Sequence, residues 1–68
     1  MFKDRLNEIM KEKNITTQVL SEKTGITLYS LNDYRSGKRK EPSFSKGIKI
    51  SDALDVDPHV LLEEELRS

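Results

Sequence analysis

Residues 16–37 read TTQVLSEKTGITLYSLNDYRSG, and the order of residue types is that of two short helices meeting at a glycine. Thr16 belongs to the small set of residues that cap a helix start by accepting from a backbone N–H two or three places on. Val19 and Leu20 follow as an apolar pair with the small Ser21 beside them. Gly25 stands where this helix must stop, because glycine adopts the left-handed conformation that closes helices without steric cost. Thr27 caps a second helix, Leu28, Leu31 and Tyr34 give it a stripe of period three, and Gly37 ends it. The predicted spans are 16–24 and 27–36. Two capped helices with a glycine turn between them make a helix-turn-helix over about 16–37, an arrangement that can hold its second helix toward a DNA major groove.

Outward from this stretch the chain stays helical. Residues 2–13, FKDRLNEIMKEK, place Phe2, Leu6, Ile9, Met10 and Lys13 three and four apart, which predicts a first helix with one apolar side. Asn14 tolerates the left-handed conformation and can end it. Ile15, just before the capping Thr16, is placed to act as a hydrophobic staple. Residues 37–43, GKRKEPS, have the composition of a surface loop. A fourth helix over 43–54 would turn Phe44, Ile48, Ala53 and Leu54 inward, with Ile50 a further candidate. Gly47 within it either permits close backbone packing or is a weak point worth about 1 kcal/mol relative to alanine. Asp57-Pro58 is a helix start, a capping residue followed by proline in the first turn. It opens a fifth helix, PHVLLEEEL. No strand pattern and no repeat competes, so the expected fold is all-α, five short helices in a single domain over 1–68.

At 68 residues one small core is all the chain can form, and dimerisation is a common support at this size. Without cysteine, and with one histidine, there is no disulfide framework, thiolate site or His-rich metal site; no cofactor or metal is expected. No apolar run approaches the roughly 18 residues of a membrane span, and the N-terminus lacks the apolar core of a signal peptide. A soluble, cytoplasmic protein in a reducing compartment fits these features.

Charge is uneven. Lys/Arg and Asp/Glu balance at 12 each, which by itself does not suggest a nucleic-acid partner. Yet residues 35–49 hold six Lys or Arg and one acid, while 52–68 hold one basic and six acidic residues. The basic segment directly follows the second helix of the motif, so a local field can attract phosphate in a neutral chain. The plainer reading is a pair of ordinary solvated faces.

With these elements in place, the chain over about 2–66 resembles the lambda repressor-like family, the Cro/cI-type or XRE-type helix-turn-helix regulators. The resemblance is carried by LNEIMKEKNITTQVLSEKTGIT, where Leu6, Ile9, Ile15, Thr16, Leu20, Gly25 and Ile26 fall in the usual slots. It continues through SLNDYRSGKRKEPS and IKISDALDVDPHVLL without gaps. The resemblance implies a sequence-specific DNA-binding transcriptional regulator, a repressor, binding double-stranded DNA. Five positions depart from the family pattern. An arginine of helix 1 that often pairs with a glutamate near the end of helix 3 is replaced by Met10 and Arg35. Met10 is then expected to pack as an apolar residue, with Arg35 free to seek phosphate or another carboxylate. The glutamine common at the start of helix 2 is Thr17, with Gln18 next; Gly47 replaces a leucine, and Ser21 an alanine.

In that geometry the start of helix 2 meets a DNA phosphate through free N–H groups, helped by Thr17 or Gln18. Base reading falls to helix 3. Asn32 can bond two edges of adenine, Leu28 or Tyr29 can touch a thymine methyl, Ser30 is an adaptable partner, and Asp33 can accept from cytosine. Three of these have a plainer role: Leu28 in the core, Tyr29 on a phosphate, Asp33 in a local contact. Arg35, Lys38, Arg39 and Lys40 are placed to line the DNA backbone and supply affinity and salt dependence. A two-fold dimer would read half-sites roughly 34 Å apart, with Val60, Leu61, Leu62 and Leu66 as the candidate interface or, alternatively, the closure of the monomer core.

Enzymatic activity finds little support, since His59 and the scattered carboxylates form no nucleophile–base pair. Glu63-Glu64-Glu65 would point about 100° apart on a helix, so they suit a solvated face better than a metal site. The main rival is a protein-interaction module on the same fold, such as an antitoxin that neutralises a toxin protein.

Overall fold

The computed structural model describes residues 2–61, and among them the chain is five helices with no strand. They are α1 (Phe2–Lys13), α2 (Thr17–Thr24), α3 (Leu28–Ser36), α4 (Phe44–Leu54) and α5 (Pro58–Leu61). The helix starts follow the side-chain chemistry of the sequence. Thr16 accepts from the Val19 N–H, Thr27 from Ser30, Ser43 from Lys46, and the Asp57 carboxylate from the His59 N–H at 2.7 Å. Gly25 and Gly37 close α2 and α3 in the left-handed region. Asn14 closes α1 the same way at φ 57°, with the Ile15 N–H returning to the Met10 carbonyl at 2.9 Å. Asp55, also at φ 57°, closes α4 in a position that suits glycine better.

The core joins all five helices: Phe2, Leu6, Ile9 and Met10 from α1, Leu20 from α2, Ile26 from the turn, Leu31 and Tyr34 from α3, Ile50 and Leu54 from α4, and Leu61 from α5. Phe2 and Tyr34 meet edge to face with ring centroids 6.0 Å apart, an arrangement aromatic quadrupoles favour. Ile15 packs partly buried against this cluster, and Met10 is apolar core as its sequence position implied.

Three inner faces differ from their sequence reading. On α4, Phe44 is 76% exposed, and Ile48 is only half-buried. The buried stripe is Gly47, Ile50, Ser51 and Leu54, at i, i+3, i+4 and i+7. Phe44 is the first residue of the helix, and because Cα–Cβ bonds tilt toward a helix N-terminus its ring leans past the packed layer. Gly47 is buried, with its carbonyl accepting from the Ser51 hydroxyl at 2.8 Å. On α2 only Leu20 is buried, and Val19 and Lys23 are exposed. The rest of that face is small and polar, Thr17, Ser21 and Thr24. On α1, Lys13 is exposed beyond the apolar stripe.

Candidate nucleic-acid interface

The turn between α2 and α3 is fixed by side chains as well as by backbone. The Gly25 N–H reaches the Ser21 carbonyl at 2.8 Å. The Ser21 hydroxyl donates to the Ile26 carbonyl at 2.5 Å, the Thr24 hydroxyl donates to the Leu20 carbonyl at 2.8 Å, and Thr24 in turn accepts from the Ile26 N–H at 3.1 Å. Ser21, standing where alanine is common, therefore ties the end of α2 to the approach of α3. With Leu31 fully buried and Tyr34 nearly so, α3 is held by its inner face and its rotation about its own axis is set.

That rotation leaves Leu28 (45% exposed), Tyr29 (67% exposed) and Asn32 on the outer side, at positions i, i+1 and i+4 of one helical face. Leu28 is thus not a core residue. Among the described residues no side chain bonds to the Asn32 amide, so both its donor and its acceptor face outward. Ser30 is half-buried and bound to the cap, its Oγ accepting from the Thr27 hydroxyl at 3.1 Å. Asp33 is also engaged. Its side chain is 14% exposed, and its Oδ2 lies 3.3 Å from Arg39 Nε.

The basic loop is strapped onto the end of α3. The Arg39 N–H donates to the Asp33 carbonyl at 3.1 Å, the Ser36 hydroxyl donates to the same carbonyl, and the Lys38 N–H reaches Ser36 Oγ at 3.3 Å. These bonds hold Lys38 and Arg39 at the end of α3, with Lys40 next in the chain, and all three are exposed. A further cation joins them that the sequence reading passed over. At Gly37, φ 88°, a Cβ would stand 2.9 Å from Lys3 Cδ, so the Lys3 stem crosses the glycine and brings its ammonium to the C-terminal end of α3, where the helix dipole favours a positive charge.

Arg35 is not free, contrary to its sequence reading. Its Nε donates to Asn7 Oδ1 at 2.6 Å and its Nη1 to Thr17 Oγ1 at 2.5 Å, while Asn7 Nδ2 donates to the Arg35 carbonyl at 3.0 Å. Where the family often pairs an arginine of helix 1 with a glutamate of helix 3, this chain carries the cation on α3 and anchors it to an amide on α1. Asn7 was missed because an exposed-looking asparagine within a helix carries no pattern. The one signal was Arg35 itself, a cation directly after the core residue Tyr34. Thr17, Arg35, Lys11 and Thr16 share the wall of a groove between the end of α1 and the start of α2.

Of the candidate dimer residues, Leu61 is 1% exposed and closes the monomer core, and Val60 is 45% exposed; Leu62 and Leu66 lie outside the described residues, as do Glu63, Glu64 and Glu65. Among the described residues no helix is long and apolar enough to cross a membrane, and no group of three or more His, Asp or Glu is placed to hold a metal ion.

Comparison with known proteins agrees with this geometry. Residues 5–65 match the family described as the Cro/C1-type HTH DNA-binding domain. The chain is 38% identical over 65 residues to the uncharacterized HTH-type transcriptional regulator YqaE of Bacillus subtilis strain 168, an alignment covering 96% of this chain and 55% of that protein. It is 32% identical over 65 residues to the HTH-type transcriptional regulators SinR of Bacillus subtilis and of Bacillus licheniformis, covering 96% of this chain and 59% of each. The chain thus spans a little over half the length of these curated relatives. No solved structure matches it significantly.

Proposed function

Because this chain belongs to the Cro/C1-type helix-turn-helix DNA-binding family of transcriptional regulators, we propose that it is a sequence-specific repressor that reads the major groove with α3 as a two-fold dimer. The observation that carries this reading is the outer face of α3: Leu28, Tyr29 and Asn32, the last with no partner among the described residues, next to a basic loop bonded to the same helix.

Asn32 is the principal reader. Its amide can give and take one hydrogen bond each with adenine, worth about 1–3 kcal/mol of discrimination. Leu28 and Tyr29 supply apolar contact to a thymine methyl, and Ser30, bonded to the Thr27 cap, is a secondary reader. Asp33, engaged with Arg39, holds that arginine in place instead of reading cytosine. Lys38, Arg39, Lys40 and Lys3 follow the phosphate backbone and furnish affinity that falls with salt. Thr17 and Gln18, at the start of α2, complete the backbone contacts. Val60, exposed beside the buried Leu61, contributes to the dimer surface, which spaces two α3 helices about one turn of DNA apart.

Selection of bound duplexes from a random DNA library, at stated salt, tests the reading. Recovery of a palindrome with half-sites roughly 34 Å apart is the expected result. Enrichment of no sequence would overturn it in favour of a protein-interaction module such as an antitoxin.

A further inference from the structure

We propose that Arg35 is a positioning residue that fixes the Thr17 hydroxyl as a hydrogen-bond donor to the DNA backbone. The inference rests on the DNA-binding reading above and goes beyond it by giving the arginine a role that is not a phosphate contact of its own.

A threonine hydroxyl has one hydrogen and two lone pairs, and a guanidinium has donors only. With Arg35 Nη1 at 2.5 Å from Thr17 Oγ1, the hydroxyl accepts in this pair, and its single hydrogen must point elsewhere. Left alone, a hydroxyl in the first turn of a helix has the option of turning to nearby backbone groups. Accepting from the cation occupies one lone pair and turns the hydrogen away from the guanidinium. No other side chain among the described residues bonds to the Thr17 hydroxyl, and Thr17 lies half-buried in the groove wall with Thr16 and Lys11. A phosphate oxygen needs a donor, and this is the polarity that the arginine enforces.

The arginine is itself held. Asn7 takes Nε at 2.6 Å and returns a bond to the Arg35 backbone carbonyl at 3.0 Å, so one edge of the planar fork is fixed and Nη1 is aimed. Arg35 sits in the last turn of the helix assigned to base reading, and Thr17 is the first residue of α2. The contact therefore couples the setting of the reading helix to a backbone contact on its neighbour. A lysine at position 35 would keep the charge but lacks the fork that serves Asn7 and Thr17 together.

A double-mutant cycle on the full chain tests this, using a duplex recovered from the selection and titrations at several salt concentrations. Thr17→Val is expected to weaken binding to all duplexes alike by roughly 3- to 10-fold, the scale of one lost hydrogen bond, and Thr17→Ser to restore most of it. Arg35→Met should produce a similar loss in the native background and none in Thr17→Val, with the salt slope unchanged. Additive losses would overturn the proposal. A slope reduced by about 0.9 on Arg35→Met would also overturn it, showing a direct phosphate contact. Should Arg35→Met fail to fold, as judged by helical circular dichroism, Asn7→Ala takes its place: its loss of affinity should likewise vanish in the Thr17→Val background, and persistence there would overturn the proposal. If the native chain binds no duplex, the DNA-binding reading fails; if it binds and the cycle is additive, only the positioning role fails.

Discussion

Asn32 and Arg35 lie three residues apart on α3 and are put to opposite uses. One amide faces outward with no partner among the described residues, whereas the guanidinium is committed to Asn7 and Thr17. The loop cations Lys38 and Lys40 differ from both, being exposed with no side-chain bond among the described residues. Alanine at either position is expected to weaken binding to cognate and random duplexes by the same factor and to reduce the salt slope by about 0.9 per lost phosphate contact. Folding stability should stay within roughly 0.5 kcal/mol of the native chain. Filter binding at a series of salt concentrations, with thermal unfolding in parallel, reads both effects.

At the scale of the element, helix ends decide the geometry. Asp55 holds the left-handed position that glycine takes at the ends of α2 and α3, and it places a carboxylate at the negative end of a helix dipole. Asp55→Gly should therefore stabilise the fold by about 1 kcal/mol, raising the unfolding midpoint by roughly 4–8 °C in a domain of this size. Ser21→Ala removes the bond to the Ile26 carbonyl across the turn and should cost about 1 kcal/mol, detectable in the same melting experiment. The helix starts at Thr16, Thr27 and Asp57 and the stops at Asn14, Gly25 and Gly37 were legible in the sequence, because capping depends on local residue type. The inner face of α4 was less so. Phe44 and Ile48 fit the spacing rule as well as Ile50 does, and only the packing of neighbouring helices places Phe44 beyond the layer. The outer face of α3 was readable only in part once Leu31 and Tyr34 were assigned inward, since Tyr29 and Asn32 lie there but Ser30 and Asp33 are half-buried and Leu28 is exposed. Arg35, Asn7 and Lys3 were not, since their partners come from residues far apart in the chain.

Across the whole molecule, the charge layout accommodates neutrality and DNA binding together. Basic residues gather around the loop after α3, and the acidic excess begins at Asp52. Leu61 belongs to the core and Val60 to the surface, so a charge at position 60 should leave the monomer folded while opposing self-association. Val60→Asp is expected to shift the sedimentation coefficient from dimer to monomer with little change in helical content, and to shorten the protected DNA from two half-sites to one. A native chain that sediments as a monomer at concentrations where it protects a full palindrome would contradict the dimer assignment.

The central claim is that the outer face of α3 reads bases, with Asn32 first among its readers. Site selection run side by side on the native chain and Asn32→Ala, at one salt concentration, tests it most directly. The variant is expected still to bind DNA but to lose its preference at one adenine–thymine pair per half-site, a change of about 1–3 kcal/mol, with neighbouring positions retained. Identical sequence preferences for the two proteins would contradict it.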